Sequence, residues 1–570
     1  MTDSTSSLLS RRRWLGLISP AVAATTLGAG LLPPATAADP VGAPASTLGA
    51  RVYNIRDFGA RGDGKSLDTS AVQSAIDRCH REQGGTVLVP AGVFVIGTVE
   101  MKSNVTLHIA AGGTLLGSGD GQQYHAADAI PLEGDTTLND GNVGLIFAVN
   151  AVNVTIEGPG TIDGQGALFR HGPHHAPPPS GRGGPHRPHT LLFYRCTNLS
   201  VRNIFLSRSA FHCVRIMQSH FVWLTGIHIH SRVNNNNDGF HFVSCQYVHI
   251  SDCDVLSQDD ACALFGSCQF ITVTNCSFST RWSVFRFGGG HVNNITVSNC
   301  LLHEVYGCPI KIRCGPGSVF ENMSFSNLVL DRVTGPISIG VGAQPPRRNH
   351  AGAAHSHPQP TMPAVLRNVS FNGIYGTVTV PVQIADVEFP NAYRPGELRS
   401  CIVLNGTGEG TLEKVSFNDI RITFPGGGTA AEGARRQIPH FAGEYFELGV
   451  LPAWAIYARN ARGVSLSNVR FETATPDLRP AVIFDHVQDA AINGLSVAGN
   501  PQAESVLRFI DTQDTLMTAT RLLSPAAVFL QAEGAENQSI TIDGGDLSKA
   551  AQRLAFKDGA ASTAVKLREA

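Results

Sequence analysis

Short segments of alternating apolar and polar residues recur through most of the chain. The clearest five begin at Cys196, Ser219, Cys245, Cys268 and Val292, and successive starts are 23, 26, 23 and 24 residues apart. The pattern returns at six further starts, which are Phe320, Leu366, Leu412, Ala461, Val487 and Asn537. Alternation with a period of two is typical of strands that bury one face, and a repeat of this length made only of strands predicts a solenoid.

An all-β fold, the right-handed parallel β-helix, fits this repeat better than a leucine-rich repeat, whose consensus and helical segments are absent. Each coil would pair with its neighbours at a spacing of ~4.8 Å. Asparagine tolerates left-handed backbone angles, so it suits the turns of stacked coils. The equivalent turn positions are Asn203, Asn275, Asn299, Asn327, Asn418 and Asn468.

The β-helix is expected to cover residues 52–546. The segment from Asp68 to His80 has the pattern of an amphipathic helix with Asp68 as its N-cap, and it precedes the first coils. We expect this helix to cover the N-terminal end of the solenoid, because an uncovered end would expose apolar surface. Residues 547–570 are less regular and are expected to form a C-terminal cap or tail.

Residues 1–37 resemble a twin-arginine export signal. Arg11-Arg12-Arg13 precedes an apolar stretch from Trp14 to Leu32, and Ala35-Thr36-Ala37 has the pattern of a cleavage site. An uncleaved membrane anchor is the alternative, but Gly and Ala keep the stretch weakly hydrophobic. We expect a linker over 38–51 and a protein that is exported to the periplasm or the exterior, with no further segment able to span a bilayer.

Composition narrows the class of function. The 570 residues carry a formal charge of −2, with 15% charged and 42% hydrophobic residues, which is typical of a folded domain and argues against a nucleic-acid binder. No C-x-x-C zinc pattern occurs, and no metal or other cofactor is expected. Stacked buried thiols are favoured over disulfides for the cysteines that recur at repeat positions, which are Cys245, Cys253, Cys268, Cys276 and Cys300.

Three insertions interrupt the coils, at residues 167–190, 343–363 and 424–452. Long loops of a solenoid usually lie on one face, so we expect them to frame a groove. Metal binding is one interpretation of the His-rich insertions, and a flexible polar loop is favoured because the spacing is irregular. The histidines are His171, His174, His175, His186, His189, His350, His355 and His357.

Three carboxylates coincide with the repeat. Asp238 lies 21 and 22 residues before the pair Asp259-Asp260, so the three are expected at nearly the same angular position on neighbouring coils. Asp238, Asp259, Lys311 and Arg313 each lie an odd number of residues before the next repeat start. Side chains of a strand alternate between its two faces, so these four are predicted to share one outward face. Asp260 lies an even number before it and would need a bulge or turn to join them. Paired acids on adjacent coils indicate acid/base chemistry on an extended polymer.

Four motifs follow one another in this frame. Phe58-Gly-Ala-Arg-Gly-Asp-Gly-Lys and Gly85-Thr-Val-Leu-Val-Pro-Ala-Gly are similar to the opening of several pectin-degrading β-helix families. Asn236-Asn237-Asp238-Gly239 and Gln258-Asp259-Asp260 are similar to the Asn-Thr-Asp and Gly-Asp-Asp motifs of glycoside hydrolase family 28, the polygalacturonase family. The chain thus resembles that family from about residue 52 to 543. The resemblance implies an inverting hydrolase with Asp259 as general acid and Asp238 and Asp260 holding the attacking water.

Two departures separate the chain from the pattern of that family. The usual Gly-His-Gly is replaced by a segment from Ser279 to Gly288 that has no histidine. The Arg-Ile-Lys motif is represented by Pro309-Ile310-Lys311, and Arg313 could take the place of the missing arginine. Both changes concern substrate specificity and leave the three acids intact.

Basic and polar residues near the acids are candidates for substrate binding. Lys311 and Arg313 would place positive charge against a uronate carboxylate, and Arg281 and Arg286 would add to it. The alternative is that these cations only neutralise the aspartates. Further groove candidates are Asn236, Arg187, His212 and His241.

We therefore expect a hydrolase whose partner is a pectic or related uronate-containing polysaccharide or oligosaccharide, with no nucleic-acid partner and no membrane partner after signal removal. A polysaccharide lyase on the same fold is the first alternative, with Arg281 or Lys311 as the base. A non-catalytic carbohydrate-binding β-helix is the second. The paired aspartate motif favours hydrolysis over both.

Overall fold

Parallel strands stacked coil upon coil make up the fold. The strand Gln246–Ser251, for example, pairs in parallel with His220–Thr225 on one side and with Gln269–Thr274 on the other. Every strand pairing among the described residues is parallel except one isolated bridge between Ala126 and Val143. The predicted parallel β-helix is therefore confirmed.

The computed structural model describes residues 51–127, 130, 142–169, 187–345, 362–384, 387 and 393–568. The predicted export segment and nearly all of the linker lie outside these residues, as do all of the loop histidines except His189. No helix within the described ranges combines the length and the apolar character that a membrane span requires.

Each coil contributes strands to three stacks. The site stack, named for the residues it carries, consists of Val99–Glu100, Gly144–Val149, His189–Tyr194, Val214–Met217, Phe240–Val243, Cys262–Phe265, Ser283–Gly288, Cys308–Cys314, Ile337–Val341, Ile402–Gly406, Leu507–Ile510, Ala526–Glu533 and Ala550–Lys557. Two long strands, Ile456–Thr473 and Val482–Asn493, begin in this stack and continue into the next.

The second stack consists of Val52–Asn54, Gly85–Val89, Val105–Ile109, Val152–Glu157, Thr197–Arg202, His220–Thr225, Gln246–Ser251, Gln269–Thr274, His291–Val305, Val319–Val333, Val365–Val378, Thr411–Phe424, Gln513–Leu522, Gln538–Asp546 and Val565–Arg568. The third consists of Asp63–Leu67, Gly92–Ile96, Gly113–Gly117, Thr161–Asp163, Phe205–Ser207, His228–Ser231, Asp254–Ser257, Ser277–Thr280 and Ser496–Val497, together with the ends of the long strands of the second stack.

Inward side chains form continuous ladders in the core. Phe325, Phe371 and Phe417 stack with ring centroids 5.2 and 5.0 Å apart on successive coils. All 12 cysteines are buried and free, which confirms the prediction of buried thiols. A strand with one buried face fixes its register, because a slip of one residue would expose that face.

The predicted turn asparagines are confirmed with one exception. Asn203, Asn275, Asn299, Asn327 and Asn468 all have positive φ, between 51° and 58°. Asn418 does not, because it pairs in register with Asn372, and Asp419 takes the left-handed position with φ 53°. A short carboxylate side chain tolerates this conformation nearly as well as an amide.

Within the part of the chain that the structure describes, four α-helices accompany the strands: α1 (Thr69–Arg81), α2 (Pro395–Leu398), α3 (Ala430–Gly433) and α4 (Tyr445–Leu448). The apolar face of α1 joins the main core through buried residues such as Val72 and Ile76, and the helix contacts the first strands of the second stack. The helix itself is as predicted, and its role as an end cap stays a prediction.

Parallel pairing continues beyond residue 546. Ala550–Lys557 pairs with Ala526–Glu533, and Val565–Arg568 pairs with Gln538–Asp546. The boundary drawn at residue 546 therefore falls inside the strand stack, and a capping role for residues 547–570 also stays a prediction.

Candidate active site

A tight turn before the strand Phe240–Val243 carries Asp238. The neighbouring Asn237 is fully buried and makes four hydrogen bonds. Its amide donates to two carbonyls of the preceding coil at 2.9 and 2.8 Å, and its Oδ1 accepts from two N–H groups of its own turn at 3.0 and 2.7 Å. These bonds fix the backbone that presents the Asp238 carboxylate.

Histidines enclose the carboxylate of Asp238. Its Oδ2 lies 2.7 Å from Nδ1 of His241, and its Oδ1 lies 3.8 Å from Nε2 of His212. The rings of His212 and His241 stack with centroids 4.1 Å apart, and His189 lies 5.0 Å from His212. Burial lowers the pKa of all three imidazoles well below the usual value, so the two rings beside the carboxylate and the third ring behind His212 are neutral.

A second turn, one coil further on, carries Asp259 and Asp260. The carbonyl of Asp259 accepts hydrogen bonds from the hydroxyls of Ser257 and Thr280 at 2.8 and 2.6 Å. The Asp259 carboxylate accepts from the Asp260 N–H at 2.9 Å and from Asn236 Nδ2 at 3.4 Å. Asp259 is half-buried, whereas Asp238 and Asp260 are buried.

The structure corrects the predicted parity of the aspartates. Gly239 N–H donates to the Asp260 carbonyl at 3.0 Å, and Phe240 pairs with Cys262, so Asp260 is the register neighbour of Asp238. The expected parity is wrong because three residues separate Cys262–Phe265 from the next strand, whereas two separate Phe240–Val243 from its next strand. Asp259 instead projects from the turn beside them.

Crowding and burial change the acidity of these carboxyls. Burial, with Asp259 and Asp260 close by, raises the pKa of Asp238 well above its ordinary value. The same causes raise the pKa of Asp260 to about 6. Burial also raises the pKa of Asp259. The hydrogen bond from the Asp260 N–H and the positive charges of Lys311 and two arginines lower that pKa and offset part of the rise. The group therefore retains at least one proton close to neutral pH.

A row of outward side chains on the site stack passes beside the aspartates. Register pairs Arg215 with His241, His241 with Ala263, Ala263 with Arg286, and Arg286 with Lys311. Lys311 and Arg286 thus lie next to each other, and both lower the pKa of Asp260. Of the four residues predicted to share this face, Lys311 and Arg313 lie two apart on the strand Cys308–Cys314 and do share it. The aspartates reach the row from the preceding turns.

Glu444 is a site residue that the sequence did not predict. Its carboxylate lies 2.8 Å from Lys311 Nζ and 2.5 Å from Arg286 Nη1. It belongs to the insertion 424–452, whose predicted position along the groove is consistent with this contact. Trp282, also not predicted, places its ring 4.2 Å from Lys311 Nζ. A contact that spans 133 residues leaves no periodic signal in the sequence.

The remaining predicted residues occupy three different positions. Arg187 donates to Asn236 Oδ1 at 3.2 Å and to a backbone carbonyl at 2.6 Å, so it supports the turn of Asp238. Arg281 is half-buried and acts electrostatically on Asp259. Arg313 is buried, and none of its three nitrogens finds a hydrogen-bond acceptor among the described residues; the charges acting on it include Glu444.

One group of side chains has ligands suited to a metal ion. His212, Asp238 and His241 are buried, and their ligand atoms lie within 4.8 Å of one another. Imidazole and carboxylate are common ligands of transition metals. The positive charge of Arg215 already acts on Asp238, which opposes a second cation there, so the geometry fits a hydrogen-bonded carboxylate better.

The arrangement of acids and cations can be compared with known proteins. A family model described as Glycosyl hydrolases family 28 matches residues 79–388, more than half of the chain. The chain belongs to this family. The family 28 match includes the three aspartates, Arg286 and Lys311, and ends before Glu444.

Two of the relatives are polygalacturonases by name. A probable polygalacturonase of Vitis vinifera is 32% identical over 228 residues, which are 38% of this chain and 45% of the relative. Polygalacturonase-2 of Solanum lycopersicum is 25% identical over 396 residues, 66% of this chain and 81% of the relative. The chain thus spans less than half of the first relative's length.

A solved structure shares the fold. The family 28 exopolygalacturonase of Yersinia enterocolitica superimposes with a TM-score of 0.55 at 18% identity, covering 78% of this chain and 79% of the other. At this identity the likeness concerns the fold alone, and it agrees with the parallel β-helix.

Proposed function

We propose that the protein is an exported glycoside hydrolase that cleaves a pectic or related uronate-containing polysaccharide with inversion of configuration. The observation that carries this proposal is the cluster of Asp238, Asp259 and Asp260, held by two turns on adjacent coils. Hydrolysis of a glycosidic bond needs one protonated carboxyl and one carboxylate that activates water. Family 28 membership and the names of the relatives support the pectic substrate.

Exposure divides the roles among the three acids. Asp259 is the least buried of them, so a glycosidic oxygen lying along the coils can reach it first, and we assign it as the general acid. Asp238 and Asp260 are register neighbours beneath it and are suited to hold the attacking water between them. The raised pKa of the cluster supplies the proton at working pH.

Positive charge around Asp259 serves the acid as well as the substrate. Arg281, Arg286 and Lys311 all lower the pKa of Asp259 against the effect of burial. They would stabilise the carboxylate that forms once Asp259 has donated its proton to the leaving oxygen. Lys311 is ion-paired to Glu444 and so is poorly suited to be the base of a lyase.

Asp259→Asn tests the assignment. With pectic polymers and oligosaccharides as substrates, we expect turnover to fall by roughly a hundredfold or more, because the proton donor is lost. Asp252→Asn, which removes an exposed carboxylate from the turn between Gln246–Ser251 and Asp254–Ser257, is the matched control. Unchanged turnover in Asp259→Asn would rule out the assignment.

Product analysis separates the reaction classes. Proton NMR during early turnover should show the inverted anomer, and retention would contradict the water-holding role of Asp238 and Asp260. A product that absorbs in the ultraviolet through a new unsaturated bond would instead identify a lyase. Export, which rests on the sequence of residues 1–37, is tested by locating the protein in cell fractions with Arg11-Arg12 intact and replaced by Lys-Lys.

A further inference from the structure

Glu444 places a fixed negative charge inside the candidate site. Its carboxylate bridges Lys311 and Arg286, at 2.8 and 2.5 Å, and only 12% of its side chain is exposed. Lys311 is 1% exposed, so the ion pair is largely shielded from water. Neighbouring positive charge from Arg286, Lys311 and Arg313 holds the pKa of Glu444 far below its ordinary value. The group is therefore an anion at neutral pH and in mild acid.

The backbone around Glu444 is anchored on both sides of the residue. Glu444 is the N-cap of α4, and its N–H donates to the Glu447 carboxylate at 2.7 Å. The next residue, Tyr445, is buried and donates its hydroxyl to the carbonyls of Cys401 and Ile337 at 2.6 and 3.1 Å. The carboxylate is thus held against the two cations by secondary structure, and it is not carried by a freely swinging side chain.

This anion meets the cations that would otherwise receive a uronate. Lys311 and Arg286 adjoin Asp259 and Asp260, so a sugar bound for cleavage contacts this part of the groove. A uronate carboxylate placed there would have to displace Glu444 or lie beside it, and like charges at close range destabilise each other. A hydroxyl or an ester carbonyl can accept a hydrogen bond from the same cations without that repulsion.

We propose that Glu444 is a specificity-determining residue that makes this position accept an uncharged sugar unit, either a neutral sugar or a methyl-esterified uronate, within the pectic polymer. The proposal rests on the proposed function and adds a chemical class for one position of the substrate. Arg281 forms no ion pair among the described residues, in contrast to Arg286 and Lys311. Its positive charge can therefore pair with a uronate at another position of the polymer.

Matched substrates and one isosteric variant test the proposal. The substrates are galacturonate oligosaccharides of one length, either as free acids or fully methyl-esterified. The quantity measured is kcat/KM for the free acid divided by kcat/KM for the ester. Esterification at other positions changes this ratio equally in two proteins, so its effect cancels when a variant is compared with wild type. We expect Glu444→Gln to raise this ratio by about tenfold or more over wild type, since it frees two cations.

Two further variants identify the origin of the change. Glu447→Gln retains an oxygen that can accept from the Glu444 N–H and keeps the Glu444 carboxylate in place, so the ratio should stay at the wild-type value. Adding Lys311→Met to Glu444→Gln should remove most of the gain, because the cation that would attract the free acid is lost. An unchanged or lower ratio in Glu444→Gln overturns the proposal, as does a rise of equal size in Glu447→Gln.

Wild-type protein provides a test that does not depend on the folding of any variant. A tenfold preference of wild type for the free acid over every singly methyl-esterified oligosaccharide of the same length would overturn the proposal by itself, because no position would then accept the uncharged unit. If wild type cleaves neither substrate, the proposed hydrolase function fails. The role of Glu444 is then tested by calorimetry, with the ratio of the two binding constants, free acid to ester, in place of the ratio of kcat/KM values. If neither wild type nor Glu444→Gln binds either oligosaccharide, the proposed role of Glu444 is also overturned.

Discussion

Asp260→Asn should make the stability of the protein less sensitive to pH. Burial and the neighbouring Asp259 raise the pKa of Asp260 from 3.8 to about 6. The folded state therefore holds this proton more tightly than the unfolded chain does. Its contribution to stability is complete below pH ~4, falls as the pH rises and is lost above pH ~6.

The size of the effect follows from the shift. About two pKa units at about 1.4 kcal/mol each correspond to about 3 kcal/mol of stability lost between pH 4 and pH 7. Asparagine cannot ionise and avoids this loss. In the wild type, Oδ1 of Asp260 has no hydrogen-bond partner among the described residues. An asparagine amide placed there would have unpaired N–H donors, and we expect this to cost about 1 kcal/mol of stability. The variant should be about 1 kcal/mol less stable at pH 4 and about 2 kcal/mol more stable at pH 7.5.

Urea unfolding at pH 4, 5, 6 and 7.5, followed by tryptophan fluorescence and checked for reversibility, measures this difference. Asp252→Asn removes an exposed carboxylate from the turn between Gln246–Ser251 and Asp254–Ser257 and provides the baseline. If the difference between Asp260→Asn and wild type is the same at pH 4 and pH 7.5, Asp260 does not hold a proton more tightly in the folded state. Activity should fall in the same variant, since the carboxylate that we propose to hold the attacking water is lost.

Three further predictions concern the scaffold of the site. Asn237→Ala leaves two carbonyls and two N–H groups unpaired in a buried turn. The variant should lower the free energy of unfolding by about 2–4 kcal/mol and reduce turnover. An unchanged melting temperature would contradict the role of this turn. Tyr445→Phe removes the hydroxyl bonds that anchor α4 and should cost about 1–2 kcal/mol, with faster limited proteolysis within 424–452 as the readout. A thiol reagent should label none of the 12 cysteines in the native protein and all 12 after denaturation, and a lower final count would reveal disulfides.

Register within the second stack could be predicted from the sequence to the residue. The starts at Ser219, Cys245 and Cys268 immediately precede His220, Gln246 and Gln269, which pair directly with one another. Alternation with one buried face determines such pairing, because any slip would turn apolar residues outward. The same reasoning located the aspartates on adjacent coils.

Turns limited what could be predicted at the site. One extra residue after Cys262–Phe265 reversed the expected parity of Asp259 and Asp260, and no hydrophobic pattern marks the length of a turn. Glu444 could not be predicted for a related reason, since it lies in an insertion without periodicity and meets Lys311 across 133 residues. Alternation therefore determined the scaffold, while the charge balance of the site depended on segments that carry no repeat.

The separation between Lys311 and Glu444 also sets an order of assembly during synthesis. Coils of a solenoid need only their neighbours to form, so the coils that carry Asp238 to Arg313 can stack before the later insertion exists. At about 5–20 residues per second, the 133 residues between the two partners take on the order of ten seconds to appear. During that interval a nascent chain would hold Lys311 and Arg286 without their anion, and completion of the site would coincide with the emergence of α4.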